Sequence, residues 1–422
     1  MRIALNYQRV DPTKGGAETY VADLCRRLVA AGHRVVLYAE TWREGALPPA
    51  VRCVAVAARG RSRVARTLAF ARNSEAALRA EEYDCTVGFI NTWHHDVIIP
   101  QGGTRRGGLE ANARRFPAGW RRALYRLGKQ ANPKFWAFRA IERKQYDPAR
   151  QARVVAVSRM VMGHVQKFHH VPNARIDVVP NAIDAGRLRV GHPGAVRCAF
   201  RNRFGLAPGD LVGLFVGHNF WLKGLKPLLL ALAERRRRDP SGRPVHLVVC
   251  GGGSPAPFRR LARRLGLENY VHLLGFYPDV RDCYWSCDFF VSPTYYDPCS
   301  LVVFEALACG LPVITTSCNG AGEVISDGRE GFVVTAPDAL GELVAALDRM
   351  TDDAARADMS EHAARLGAEQ SMDRHVEKLI RVFEAVAASK SRRGPRASGH
   401  SAEQLMFGRR KSGSLSSRGN GE

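Results

Sequence analysis

Two carboxylates, Asp297 and Glu305, stand eight positions apart in the segment DPCSLVVFEALACGLPVITT. Apolar residues recur at helical spacing across this segment and predict a helix over 300–309, with Asp297 in the preceding loop and Glu305 inside the helix. A ligand that lies over the start of this helix would meet one carboxylate at each end. The free N–H groups of a helix N-terminus also attract phosphate. The segment therefore predicts a site for a phosphate-bearing ligand, unless Glu305 is only a solvated helix position.

Two further loops carry residue types that bind phosphates. Gly15 and Gly16 follow the first predicted strand, and a Gly-Gly turn lets backbone N–H groups approach a diphosphate closely. Lys223 follows a later strand in the segment VGHNFWLKGL, where a cation would offset the charge that builds on a departing phosphate. Each signal is weak alone, because a Gly-Gly pair is often just a turn and a lysine is often just a surface residue.

Short apolar strands alternate with helices along both halves of the chain, and a Gly-, Pro- and Arg-rich stretch near 191–209 separates the two sets. Strands are predicted at 2–7, 34–39, 53–57, 85–90, 97–99, 154–157, 176–179, 211–216, 245–250, 271–274, 289–292, 311–316 and 332–334. Helices are predicted at 17–31, 62–80, 158–168, 223–237, 257–265, 279–286, 300–309, 339–350 and 371–389. Such alternation predicts an α/β fold with parallel, doubly wound sheets, in which ligands bind at the carboxyl ends of strands.

At 422 residues the chain is too long for one core of ordinary size, and two domains are the natural division. We predict an N-terminal domain at 1–188, with a basic insert near 104–144, and a second domain at 189–370. A closing helix follows at 371–388. The Ser-, Gly- and Arg-rich segment 389–422 lacks apolar residues to bury and is predicted to be disordered.

Composition argues against several classes of protein. No apolar run reaches the roughly 18 residues that a membrane-spanning helix needs. The N-terminus, MRIALNYQRV, predicts a first strand rather than a signal peptide. The ten cysteines include no Cys-x-x-Cys pair, which argues against a zinc site or a disulfide framework and suits a reducing cytosol. We therefore expect a cytoplasmic protein without a metal site.

The net charge of +23 is concentrated in two segments. Thirteen Lys or Arg residues stand against three acids over 101–150, and eight stand against two over 389–422. The insert at 104–144 interleaves aromatic residues with its cations, which suits docking on an anionic bilayer. The alternative is a solvated helical hairpin whose aromatic residues belong to the core. A nucleic-acid-binding protein would also explain the charge, although the sequence contains no recognised motif for one.

Together these segments resemble the retaining, nucleotide-sugar-dependent glycosyltransferases of family 4, which have the GT-B architecture of two doubly wound, Rossmann-like domains facing across a cleft. The family pattern is a Glu, seven residues and a second Glu, and here Asp297 replaces the first Glu while Glu305 is the second. The family's Val-Gly-Arg-x-x-x-x-Lys-Gly segment matches with His218 at the position of the Arg and Lys223 at that of the Lys. The resemblance also implies that the closing helix crosses back to the first domain.

The resemblance implies a role for each matched residue. Lys223 and His218 would clamp the departing diphosphate and Asp297 would reach a sugar hydroxyl, so these three form the expected catalytic set. The remaining matched residues would contact the donor: Gly15 and Gly16 at the diphosphate, Ser300 and Leu301 at the helix start, Glu305 at the ribose, Gly251 and Phe276 near the nucleotide, and Glu323.

The implied reaction is transfer of a hexosyl group from a nucleoside diphosphate sugar with retention, without a metal or other cofactor. A carboxylate at Glu305 can bind both ribose hydroxyls, and UDP-glucose is the expected donor. The first helix and the insert are closest in character to bacterial lipopolysaccharide-core glucosyltransferases. This implies a lipid-linked or phosphorylated glycan acceptor at the inner face of the cytoplasmic membrane, and no nucleic-acid partner. A catalytically silent nucleotide-sugar-binding protein is the alternative, since His218 and Asp297 depart from the family pattern.

Overall fold

The apolar strands of residues 1–188 form the first parallel sheet. The computed structural model describes residues 1–392. The strands in this part are β1 (Arg2–Asn6), β2 (Arg9–Val10), β3 (Arg34–Ala39), β4 (Thr41–Trp42), β5 (Arg52–Ala55), β6 (Cys85–Gly88), β7 (Val97–Ile98), β8 (Arg153–Ala156) and β9 (Ile176–Val178). Seven of them pair in the order β5-β3-β1-β6-β7-β8-β9, while β2 and β4 pair separately. β1, β3 and β6 are almost wholly buried, as expected of parallel strands covered on both faces.

Six helices accompany this sheet. They are α1 (Gly16–Ala30), α2 (Arg63–Arg79), α3 (Arg105–Ala113), α4 (Trp120–Gln130), α5 (Pro133–Gln145) and α6 (Arg159–His169). Four of them begin at a capping residue, because Ser62, Thr104, Asn132 and Ser158 each accept a hydrogen bond from an N–H of the first turn. The basic insert predicted near 104–144 is thus a group of three helices, α3 to α5, between β7 and β8.

The second half of the chain builds a second parallel sheet. Its strands are β10 (Leu211–Val216), β11 (Val245–Cys250), β12 (Val271–Gly275), β13 (Phe289–Ser292), β14 (Val313–Thr316) and β15 (Gly331–Val334), in the order β12-β11-β10-β13-β14-β15. Its helices are α7 (Pro193–Arg203), α8 (Leu225–Arg238), α9 (Ala256–Arg264), α10 (Val280–Ser286), α11 (Leu301–Ala308), α12 (Leu340–Arg349) and α13 (Asp353–Glu369). Because neighbouring strands are parallel, the loops after β10, β11 and β13 leave the same edge of the sheet.

A last helix, α14 (Met372–Arg392), returns to the first sheet. Near its start, the His375 ring contacts the Tyr20 hydroxyl of α1 at 2.7 Å through Nε2 and the carbonyl oxygen of Pro180 at 2.8 Å through Nδ1. Near its end, the Lys390 ammonium donates to the carbonyl oxygen of Tyr83 at 3.0 Å. The second half of the chain is therefore tied to the first along the length of α14.

The predicted α/β fold with two doubly wound sheets is confirmed, but several element predictions were wrong. The stretch near 191–209, interpreted as a separator, contains α7, and α13 was not predicted at all. α14 continues to Arg392, into the segment predicted to be disordered, and the rest of that segment, 393–422, lies outside the described residues. Within 1–392, none of the helices has the length and apolar character needed to cross a bilayer.

Candidate active site

Lys223 and Asp297, which lie in separate motifs, contact each other. Lys223 precedes α8 in the turn after β10, and Asp297 lies in the loop between β13 and α11. The Lys223 ammonium donates to Asp297 Oδ2, and only 20% and 13% of the two side chains are exposed. A cation and a carboxylate in contact with each other therefore lie just before the N-terminus of α11.

A glycine allows the loop that carries Lys223 to reach this place. Gly224 has a φ of 81°, and a Cβ at this position would overlap the carbonyl oxygen of Pro293. Only glycine fits where the turn after β10 passes over the loop after β13. The two loops are also joined by a hydrogen bond of 2.9 Å from Tyr295 N to the carbonyl oxygen of Leu222. The position of Lys223 relative to Asp297 thus depends on the backbone as well as on the ion pair.

Glu305 lies within α11 and is held by a tyrosine. The Tyr284 hydroxyl, on α10, donates to Glu305 Oε2 at 2.6 Å. Burial raises the pKa of the Glu305 carboxyl, while the Tyr284 hydrogen bond and the Arg187 guanidinium act in the opposite direction. Glu305 is therefore not a solvated helix position, and its second oxygen has no protein partner in the described part of the chain.

Gly16 and Leu301 meet across the interface between the two halves. A Cβ at Gly16 would stand 2.9 Å from Leu301 Cδ1, so the start of α1 lies directly on the start of α11. One cavity of about 70 Å³ is lined by Gly16, Leu301, Glu305 and Arg187. The N-termini of two helices and a carboxylate therefore converge there, as the binding of a diphosphate and its sugar would require. Gly15 precedes Gly16 as the capping residue of α1, in extended backbone.

His218 does not line this cavity. Its side chain is exposed at the end of β10, beside the loop that Gly251 begins after β11. Gly251 has a φ of 137°, and a Cβ at that position would overlap the carbonyl oxygen of Gly217. A Cβ on Gly252 would lie 2.9 Å from His218 Nδ1. The structure thus brings His218 to Gly251 and its neighbour, while its imidazole has no hydrogen bond within residues 1–392.

Three other predicted residues stand apart from the ion pair. Phe276 follows β12 with 73% of its surface exposed. Ser300 is buried as the capping residue of α11, and its amide donates to Asn319 Oδ1 at 3.3 Å. The Glu323 carboxylate accepts the amides of Arg159 at 2.7 Å and Met160 at 2.8 Å, so it caps α6 of the first half. A contact between Phe276 or Glu323 and the donor stays a prediction.

Sequence reasoning missed residues that organise this site from elsewhere. Arg187 lines the cavity and pairs with Asp23 of α1, which links the interdomain segment to the first half. Asn181 Nδ2 donates to the carbonyl oxygen of Cys299 at 2.9 Å, and Tyr284 holds Glu305. Nothing in the segments around Asn181 and Tyr284 signals these partners. These contacts join residues far apart in the chain, so spacing could not reveal them.

Two family models match the chain. The model described as Glycosyltransferase Family 4 matches residues 14–187, and the model described as Glycosyl transferases group 1 matches residues 210–353. The first range includes Gly15 and Gly16 and the basic insert. The second includes the Lys223–Asp297 pair and Glu305.

The curated relatives of this chain are named as glycosyltransferases. D-inositol 3-phosphate glycosyltransferase 2 of Catenulispora acidiphila is 34% identical over 51% of this chain and 52% of its own length. Lipopolysaccharide glucosyltransferase WaaG of Escherichia coli K12 is 25% identical over 76% of this chain and 82% of its own. The chain thus spans about half the length of the first of these relatives and most of the second.

Solved structures share the fold. A crystal structure of WaaG, a glycosyltransferase involved in lipopolysaccharide biosynthesis, has a TM-score of 0.73 at 23% identity and covers 90% of this chain and 99% of its own. A structure of Anabaena HepE in complex with UDP has a TM-score of 0.66 at 17% identity, over 91% of this chain and 100% of its own. With a Family 4 domain followed by a group 1 domain on two parallel sheets, the chain belongs to the glycosyltransferases of the GT-B fold.

Proposed function

We propose that this protein transfers a hexosyl group, with retention, from a nucleoside diphosphate sugar to a glycan acceptor. The observation that carries this proposal is the contact between Lys223 and Asp297 at the start of α11, with Glu305 inside the same helix. A cation, a helix N-terminus and two carboxylates are the groups that a diphosphate and a hydroxylated sugar and ribose need. The cavity that Gly16, Leu301 and Glu305 line joins α11 to the start of α1 in the first domain.

In this proposal each residue has a separate task. The acceptor's hydroxyl oxygen bonds to the anomeric carbon as the bond from that carbon to the diphosphate breaks, and the hydroxyl proton passes to the departing diphosphate. Lys223 stabilises the negative charge that grows on the leaving diphosphate, together with the amides at the start of α11. Asp297 orients Lys223 and accepts a hydrogen bond from the sugar. Glu305, positioned by Tyr284, accepts hydrogen bonds from the ribose hydroxyls.

UDP-glucose is the proposed donor. Glu305 suits a ribose with two free hydroxyls, and the names of WaaG and the HepE complex refer to glucosyl transfer and to UDP in those proteins. The melting temperature of the protein can be measured with a panel of UDP-, ADP- and GDP-sugars. Only a nucleotide sugar that binds should raise it, because a ligand of the folded state stabilises that state by mass action. We expect UDP-glucose to give the largest shift and Glu305→Ala to reduce it. A larger shift with another nucleotide would replace UDP in the proposal.

Turnover separates an enzyme from a silent binding protein. Release of UDP from UDP-glucose in the presence of a membrane extract that supplies acceptors is the measurement. If the protein binds UDP-glucose but releases no UDP with any extract, it is a catalytically silent binding protein and the transferase proposal is wrong.

We further propose that the acceptor is a lipid-linked or phosphorylated glycan on an anionic membrane, reached by α4. This helix has no buried residue, and Trp120, Leu124 and Leu127 form an exposed apolar stripe with 60–70% of each residue's surface accessible. Arg121 and Lys129 flank the stripe, and neither pairs with a carboxylate within residues 1–392. Apolar side chains among free cations are typical of helices that lie in a bilayer interface.

Vesicle sedimentation tests this docking. Arg121 and Lys129 are better targets than Arg114 or Arg122, because Arg114 Nη1 lies 3.8 Å from Cys318 Sγ of the second domain and Arg122 bonds to the carbonyl oxygen of Phe116. Wild-type protein should bind vesicles that contain phosphatidylglycerol but not pure phosphatidylcholine. The double variant Arg121→Glu, Lys129→Glu should lose about 1 kcal/mol of binding free energy per neutralised charge, or more because the sign is reversed. Equal binding to both kinds of vesicle would contradict the proposal.

A further inference from the structure

A cavity of about 230 Å³ opens among the three helices of the insert. Three guanidinium groups line it, from Arg106 on α3, Arg126 on α4 and Arg139 on α5. The aromatic rings of Phe135 and Trp136 form part of the wall. Each helix of the insert therefore contributes one arginine to the same cavity.

The guanidinium groups of these three arginines form no hydrogen bond within residues 1–392. The guanidinium carbon of Arg106 lies 4.7 Å from the ring centre of Phe168, and that of Arg139 lies 5.0 Å from the ring centre of Trp136. No carboxylate within residues 1–392 forms an ion pair with Arg106, Arg126 or Arg139. The one acid in the lining, Glu110, has its Oε2 at 3.5 Å from the Lys167 ammonium and is thereby compensated. The cavity thus has an excess of positive charge.

Convergent guanidinium groups recognise phosphate through their planar, forked donors. Each fork can give two parallel hydrogen bonds to phosphate oxygens, which a lysine cannot reproduce. The aromatic wall can cover the apolar face of a small organic group attached to that phosphate. The volume accommodates a phosphate ester with a short substituent, such as a glycerol or a sugar.

We propose that this cavity is a binding site for a phosphate ester, separate from the donor site. Arg126 lies on the same helix as the exposed stripe of Trp120, Leu124 and Leu127, so the phosphate of a lipid headgroup can enter while the stripe contacts the bilayer. Entry from a membrane rests on the docking proposed above, whereas binding of a soluble phosphate ester does not.

Calorimetric titration with glycerol 1-phosphate tests the site without a membrane. We expect saturable binding to the full-length protein and no binding of glycerol. The double variant Arg126→Lys, Arg139→Lys keeps the net charge but loses both forks, so its affinity should fall about tenfold or more. The matched control Arg143→Lys changes an exposed arginine of α5 outside the cavity and should bind like wild type. Absence of binding to wild type, or an equal loss in the control, would overturn the proposal.

Vesicles of matched surface charge identify the source of the phosphate. One set contains phosphatidylglycerol in phosphatidylcholine, and the other contains oleate, whose charge is a carboxylate. A preference of wild type for phosphatidylglycerol that the double variant lacks assigns the site to a lipid headgroup. Binding of glycerol 1-phosphate with no such preference assigns it to a phosphorylated sugar. Vesicle binding without any binding of the free ester removes the cavity as a site and leaves the docking proposal intact.

Discussion

The charges at the start of α11 and the charges on α4 are held in different ways. Lys223 is partly buried and bound to Asp297, and its loop is fixed by Gly224. Arg121 and Lys129 are exposed and lack an acidic partner within residues 1–392. A paired, partly buried charge acts on one atom at one place, while free surface charges attract any anionic surface and are screened by salt. In the proposed function, the paired charges act in the transfer reaction and the exposed charges act in docking on the membrane.

The largest effect on activity is expected from substitution of Lys223, the lysine of the ion pair. Lys223→Ala should lower the rate of transfer by about 10²–10³ while weakening donor binding much less, because the charge of the leaving diphosphate grows in the transition state. Steady-state kinetics with UDP-glucose separates kcat from KM. Lys226→Ala is the control, since Lys226 is exposed on α8 and makes no ion pair within 1–392. A variant at Lys223 with unchanged kcat would mean that the pair is only structural.

The carboxylate inside α11 should have the next largest effect. Glu305→Ala removes hydrogen bonds to a charged group, which costs about 1.5–3 kcal/mol of donor binding, and it should leave folding nearly intact. Tyr284→Phe removes only the positioning hydroxyl that now lies 2.6 Å from Glu305 Oε2, so it should weaken binding less. Calorimetry with UDP measures both. Equal affinity in Glu305→Ala and wild type would exclude Glu305 from the donor site.

Salt should weaken vesicle binding by the charges on α4 more than donor binding by the charges at the start of α11. Raising the ionic strength from about 0.1 M to 1 M shortens the Debye length from about 10 Å to 3 Å, which screens exposed charges far more than partly buried ones. We expect vesicle binding to fall at least about tenfold over this range, while UDP affinity changes much less. Donor binding and vesicle binding that decline in parallel would show that the distinction between the two regions is wrong.

The smallest effect is expected at His218. This exposed residue has no hydrogen bond within the described chain and lies beside Gly252 rather than at the ion pair. Restoring the cation of the family pattern with His218→Arg should therefore change kcat by less than about fivefold, the range typical of exposed charges. A much larger gain in rate would mean that the guanidinium reaches the diphosphate and that the native site lacks a cation there.

The sequence predicted the elements whose apolar pattern is unbroken. The bounds predicted for β3, β10, β11 and β13 agree with the structure residue for residue. Helix α7 was missed because it begins with Pro193-Gly194 and is rich in arginine, so its two buried residues give a weak period. Helix α13 was missed because it buries only Met359, Ala363 and Gly367, two of which are small. Apolar periodicity finds elements that bury many large apolar side chains and overlooks those that bury few.

The site was predicted as separate motifs rather than as an arrangement. Lys223, Asp297 and Glu305 were each found from local sequence, but the contact of Lys223 with Asp297 joins two loops of the sheet and has no local signal. Glu323 shows the limit most clearly, because its carboxylate caps α6 in the other half of the molecule. Residue type and spacing identified candidates, and only tertiary packing decides what each one touches.

The return of α14 to the first sheet has a consequence for engineering. Val376, Leu379 and Phe383 are buried, and His375 is locked between Tyr20 and Pro180. A chimera that exchanges the donor-binding half for that of another glycosyltransferase must therefore keep this helix with its native first half, and place one junction after Leu188 and the other before Met372. Cutting only once would leave a foreign helix on a surface shaped for this one.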